Sequence, residues 1–123
     1  MYTVDTNILI YHANGEAPVV GFLLSQIEKN IPLFLPAIVA VEFFSFPALT
    51  AEAALAFESL FPYLHIIALD YPLARSAAEI RKRHGLSLGD SVIAATAMHT
   101  RSTLVTRNIR DFRKVSDLKL LAI

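Results

Sequence analysis

The sequence predicts an α/β fold, a three-layer α/β/α sandwich around a central, mostly parallel sheet. Short apolar runs of four or five residues alternate with longer segments whose apolar residues recur at helical spacing. Strands separated by helices of a turn or more pair in parallel, and the sheet they form is covered on both faces. At 123 residues the chain is most simply one domain, spanning residues 1–123, large enough to bury roughly two-thirds of its unfolded surface.

The elements read in order. MYTVDTNILIYH is a buried strand from Tyr2 running into a short helix, with Asp5 at the junction. APVVGFLLSQIEKN reads as a helix, PLFL from Pro32 as a strand, and PAIVAVEFFSF as an apolar helix. TAEAALAFESLF opens on Thr50, a fair N-cap, with Ala53 at the third helical position. HIIAL from His65 is the third strand. PLARSAAEIRKRHG begins with a proline and stops at Gly85. Leu73, Ala77, Ile80 and His84 share one stripe of it, which turns Arg81, Lys82 and Arg83 largely outward. SLGDSVIAATAMHTR is a helix, and TLVT from Thr103 and KLLA from Lys119 complete the sheet.

Composition narrows the setting. The chain has no cysteine, so thiolate metal sites and disulfides are excluded and a reducing cytoplasm is the expected location. The first residues carry no positive charge, so a secretory signal is not expected. The most membrane-like stretch, residues 31–49, carries three prolines and Glu42, too interrupted for a span; no membrane association is expected. Net charge is zero, but its distribution is uneven. Residues 1–72 hold seven acids and one base; residues 73–123 hold ten bases and four acids. The halves thus carry about −6 and +6, an asymmetry that suggests either a polyanionic partner or two mutually neutralising halves.

The acids are the chemically informative residues, because ligands of open parallel sheets bind outside the carboxyl ends of the strands. Asp5 ends the first strand, where it could simply cap the following helix. Glu42 lies in a segment with no polar face, flanked by Ile38, Val39, Val41, Phe43, Ser45 and Phe46. A carboxylate there is either paired with an arginine or aimed into a polar cleft. Asp90 follows Ser87 by three residues, the spacing of a capping box, yet Ile93, Ala94 and Ala97 place it at the inner edge of its helix. LVTRNIRDF follows the fourth strand with Thr106, Arg107, Asn108 and Asp111, residue types also common in turns.

Neighbouring parallel strands would gather these groups into one cleft. Two carboxylates about 4 Å apart repel by roughly 4 kcal/mol at an effective dielectric near 20, so three or four together call for protons or a cation. Oxygen ligands without cysteine, and without a histidine pair on one helix face, point to Mg²⁺ or Mn²⁺ rather than zinc. His12, His65, His84 and His99 are scattered and read as structural or surface residues. No Gly-rich phosphate loop or nucleophile elbow occurs.

VDTNILIY, VEFF, LGDSVIAATA and LVTRNIRDF, in this order and over the whole length, resemble the motifs of PIN-domain proteins, specifically the VapC-type toxins of prokaryotic toxin–antitoxin pairs. That resemblance implies a PIN-like fold, Mg²⁺-dependent ribonuclease activity and inhibition by a cognate antitoxin. It assigns Asp5, Glu42 and Asp90 as the acidic positions. The fourth position, often aspartate in the family, aligns with Asn108, a departure that weakens any second metal; Asp111, three residues on, is either a substitute ligand or a turn acid. The resemblance, with which the gathered acids accord, implies a mechanism in which Asp5 and Asp90 hold the metal, directly or through water, and Glu42 orients or deprotonates the attacking water. Thr6, Asn7 and Thr106 hydrogen-bond ligands or phosphate, while Arg107, Arg110, Arg113 and Lys114 hold the RNA backbone.

The alternative is a catalytically weakened PIN-like module that acts by binding an antitoxin or RNA. A phosphoacceptor receiver lacks its adjacent acid pair, and a metal-dependent phosphatase lacks the second aspartate, because Asn7 stands there. The rings Phe43, Phe44, Phe46, Phe57, Phe61 and Tyr63 either fill the core or face a partner, an antitoxin helix or a second copy; together with the family's habit, they make a homodimer the expected assembly.

Overall fold

A computed structural model describes residues 1–123. The order is β1 (Tyr2–Val4), α1 (Thr6–Ala13), α2 (Ala17–Glu28), β2 (Leu33–Pro36), α3 (Ala37–Phe44), α4 (Ala51–Leu60) and a 3₁₀ turn over Phe61–Tyr63, followed by β3 (Leu64–Ile67). Then come α5 (Tyr71–His84), α6 (Leu88–His99), β4 (Thr103–Val105), α7 (Ile109–Phe112) and β5 (Leu120–Leu121). The five strands form one sheet ordered β3-β2-β1-β4-β5, and every pairing is parallel. With seven flanking helices this is the expected three-layer α/β/α sandwich.

Local chemistry sets most boundaries. The Thr50 hydroxyl caps α4 by accepting from the Ala53 N–H at 3.0 Å, and Asp70 caps α5 through the Leu73 N–H at 2.9 Å. Gly85 ends α5 in the left-handed region, φ 68°, where a glycine has no Cβ to clash. Leu73 and Ala77 of α5 are buried and Arg81, Lys82 and Arg83 are exposed, as the stripe requires. The short α7 falls where the sequence read only a turn: four residues of IRDF are too few for a periodic signal, and the helix is held by the buried ring of Phe112.

The strands put Val4, Leu33, Leu35, Leu104 and Val105 into a core shared with Ile8, Leu9, Val19, Leu23 and Ile93. The aromatic group divides. Phe43 and Phe57 are buried and stacked with centroids 4.7 Å apart, whereas Phe44, Phe46, Phe61 and Tyr63 remain exposed. No helix is long and apolar enough to cross a membrane.

In this strand order the chain first adds strands on one side of β1, then crosses to the other side with β4. The reversal falls between β1 and β4, and a crevice opens at such a switch point beyond the carboxyl ends of the strands. Asp5 and Thr106 are the residues that directly follow those two strands.

Candidate active site

Asp5 is held on both oxygens. Its Oδ1 accepts from the Thr6 N–H at 2.7 Å, and its Oδ2 accepts from the Thr106 hydroxyl at 2.7 Å. It is therefore both the cap of α1 and a member of the crevice. At 4% exposure, desolvation pushes its pKa up to about 6; the two hydrogen bonds oppose that rise, and Asp90 and Glu42 add to it by repulsion.

Glu42 arrives on α3, which leaves β2 without a linker. Its Oε1 accepts from the Thr6 hydroxyl at 2.7 Å, so one threonine ties it to Asp5. Neither ion pair of the molecule involves Glu42; the arginine partner considered as its ordinary explanation is not made. Its carboxylate instead lies against the first turn of α6. A Cβ placed on Gly89 would stand 2.9 Å from Glu42 Oε2, closer than real Cβ atoms approach.

Asp90 is the third residue of α6. The Ser87 hydroxyl caps this helix, accepting from the Asp90 N–H at 3.1 Å, so the Asp90 carboxylate is not needed as the cap. Burial raises its pKa, the Ser87 hydroxyl opposes this, and Glu42 and Asp111 raise it further. Asn108 Nδ2 donates to Asp90 Oδ2 at 3.5 Å, and the Asn108 N–H donates to Thr106 Oγ1 at 2.9 Å. The turn after β4 thus touches Asp5 through one residue and Asp90 through another.

Asp5 thus lies within reach of the charges of Asp90 and Glu42, and Asp90 within reach of those of Glu42 and Asp111. No three Asp, Glu or His side chains close to direct ligation of a single ion. None of the four histidines joins the cluster; the Nδ1 of His12 is buried without a partner, and burial lowers its pKa. A cavity of about 400 Å³ lies between α5 and α6 and is lined by none of the acids.

The remaining expected residues separate by position. Asn7, Arg110 and Arg113 are exposed, and neither arginine is in an ion pair. Lys114 sits 3.7 Å from Asp111. Thr6 and Thr106 are buried, and their hydroxyls donate to Glu42 and Asp5. Arg107 is engaged elsewhere. It pairs with Glu16, donates from Nε to the Ile123 carbonyl at 2.7 Å, and lies 4.3 Å from the centroid of the Tyr11 ring. Sequence reasoning gave no role to Gly89, Glu16 or Tyr11. A glycine inside the first turn of a helix, next to Asp90, is a signal of close approach; Glu16 and Tyr11 carry no such mark.

A parallel sheet that reverses its order at β1/β4, with a carboxylate cluster at the reversal, defines an α/β domain with a polyacidic site at its carboxyl edge. The PIN domain family model matches residues 2–118, and the chain belongs to the PIN domain family. It is 26% identical to ribonuclease VapC1 of Haemophilus influenzae strain R2866, covering 97% of this chain and 95% of that protein. Its fold is that of VapBC2 from Rickettsia felis bound to a promoter DNA fragment (TM-score 0.83, 23% identity, 98% and 97% of the two chains covered). A toxin–antitoxin complex from Klebsiella pneumoniae has the same fold (TM-score 0.77, 24% identity, 98% and 96% covered).

Proposed function

We propose that this chain is a Mg²⁺-dependent endoribonuclease, the toxin of a type II toxin–antitoxin pair working in the cytoplasm. One observation carries the reading: acids from the end of β1, from α3 and from the start of α6 are bound together by Thr6, Thr106 and Asn108 at the topological switch point. The similarity to ribonuclease VapC1 supports the reaction.

The donor set suits magnesium. Carboxylates gather there, and Asp5 and Asp90 are pushed toward protonation first by burial and then by neighbouring acids, a repulsion that a cation relieves. Mg²⁺ keeps several of its waters and takes one or two carboxylates, which accords with acids that are near one another without closing a full cage. Asp5 and Asp90 would hold it, with Asn108 and Asp111 beside them. Bound there, it would polarise the scissile phosphate and acidify a water; Mn²⁺ would serve as well. Glu42, anchored at Oε1 by Thr6, orients the attacking water and takes its proton on Oε2. Arg110, Arg113 and Lys114 hold the phosphates flanking the cut, and Asn7 hydrogen-bonds the substrate at the rim.

Exposed Val41, Phe44, Phe46, Leu55 and Phe61 on and around α3 and α4 support protein partners, an antitoxin helix and a second copy of the chain in a homodimer. The Klebsiella complex supports the antitoxin.

A second reading, a binding module with weakened catalysis, is favoured by Asn108, which meets Asp90 with an amide N–H where a further acid would add charge. Hydrolysis of RNA with and without Mg²⁺ or Mn²⁺ separates the two. Under the nuclease reading cleavage requires the ion and falls more than about a hundredfold in Asp5→Asn and Asp90→Asn, with circular dichroism unchanged. Undiminished cleavage by either variant overturns the mechanism. An inactive wild type that is as toxic to a bacterial host as Asp5→Asn selects the binding module.

A further inference from the structure

Arg107 stands between the two residues that reach the acids. Thr106 donates to Asp5, Asn108 donates to Asp90, and the Asn108 N–H returns to the Thr106 hydroxyl. The turn is thus fixed at Asn108 by a side-chain oxygen and not by the sheet, which it leaves after Thr106 N–H bonds the Leu121 carbonyl. Arg107's own side chain makes three contacts, none with an acid of the cluster: the Glu16 carboxylate, the Ile123 carbonyl and the face of Tyr11. Tyr11 belongs to α1, and Glu16 to the connection between α1 and α2. Because α1 begins one residue after Asp5, both of these anchors are fixed relative to Asp5.

We propose that Arg107 is a positioning residue that locks the Thr106–Asn108 turn onto α1 and the α1–α2 connection, and thereby sets the separation of Asp5 from Asp90; it is not a phosphate contact. A surface ion pair alone contributes little, but here one planar guanidinium joins an acid, a carbonyl and a ring from three separate segments. Lysine cannot reproduce that, having neither the fork nor the stacking face. With its face covered and donors on two of its nitrogens in use, the group is badly placed to receive a phosphate. The activity readouts rest on the nuclease reading; the exchange readout does not.

The test compares wild type with Arg107→Gln, Arg107→Lys, Glu16→Gln and the Glu16→Gln/Arg107→Gln double variant. A lock predicts that each single variant lowers kcat by about five- to twentyfold, since small misplacements of catalytic groups are costly. KM stays within about twofold and the salt dependence of kcat/KM is unchanged. The double variant is no worse than the worse single one, because the pair acts as a unit. Amide hydrogen exchange by NMR should show faster exchange at Asn108 in every variant, with the β1 and β4 amides unaltered. The opposite set overturns the proposal: Arg107→Gln raises KM and flattens the salt slope by about 0.7–0.9, Arg107→Lys stays active, and Glu16→Gln tightens binding. If the wild type cleaves no RNA, the nuclease reading has failed and exchange alone decides. Faster Asn108 exchange then supports the lock, and unchanged exchange rejects it.

Discussion

Asp5 costs the fold stability at neutral pH. Its pKa is about 6 in the folded chain against 3.8 for a free side chain, so between those values the folded state binds more protons than the unfolded one. Stability accordingly falls as pH rises from about 4 to about 6 and then levels, with an ionised Asp5 costing on the order of 3 kcal/mol. Asp90, also raised, pulls in the same direction. Asp5→Asn keeps an oxygen for the Thr6 N–H and an amide for the Thr106 hydroxyl, and it removes the charge. Urea unfolding without divalent ions should find it more stable than wild type at pH 7, by about 1–3 kcal/mol, with the gap closing toward pH 4.5. A variant less stable at pH 7 would mean that the Thr6 and Thr106 bonds outweigh the burial. Such residues are held for something other than folding, and this is the physical sense in which the site stands out from its scaffold.

At the scale of elements, the N-terminal turn of α6 works as a receptor for Glu42. Only a glycine at position 89 lets the α3 carboxylate lie against it. Gly89→Ala raises helix propensity by up to about 1 kcal/mol, and the group it displaces is the end of a flexible side chain, so the melting temperature should hold or rise. Cleavage should nevertheless fall at least about tenfold, because Glu42 moves away from the water it orients. Unchanged kcat in a fold of normal stability would remove Glu42 from that role. Strands, helices and their parallel order were legible in the sequence because apolar period and cap chemistry are local. Glu42 stood out as a carboxylate among apolar neighbours, whereas Asp5 and Asp90 read equally well as helix caps and were singled out by the order of the motifs. What binds them was not: the Thr6, Thr106 and Asn108 contacts and the Gly89 approach join residues as much as 101 positions apart, and nothing local marks Glu16 and Tyr11 as the partners of Arg107.

Across the whole molecule, the −6 half supplies Asp5 and Glu42, and the +6 half supplies Asp90 and Asp111 together with the bases around them. An acid-lined site repels RNA unless bases beside it compensate, so exposed Arg110 and Arg113 should govern encounter with substrate. Replacing either by Gln should leave kcat within about twofold, raise KM, and reduce the slope of log kcat/KM against log salt by about 0.7–0.9 per lost phosphate contact; an unaltered slope would place RNA on another face. A cation that binds only the folded state must also stabilise it by linkage. Mn²⁺ should therefore raise the melting temperature at pH 7 more than at pH 5, where Asp5 is protonated, and Asp90→Asn should shrink the rise. The location of that ion can be seen directly. Crystals grown in Mn²⁺ and measured at its absorption edge should give one anomalous peak bordered by Asp5 and Asp90, lost in Asp90→Asn; a peak remote from both residues, or none at millimolar ion, would contradict a metal-dependent nuclease centred on this crevice.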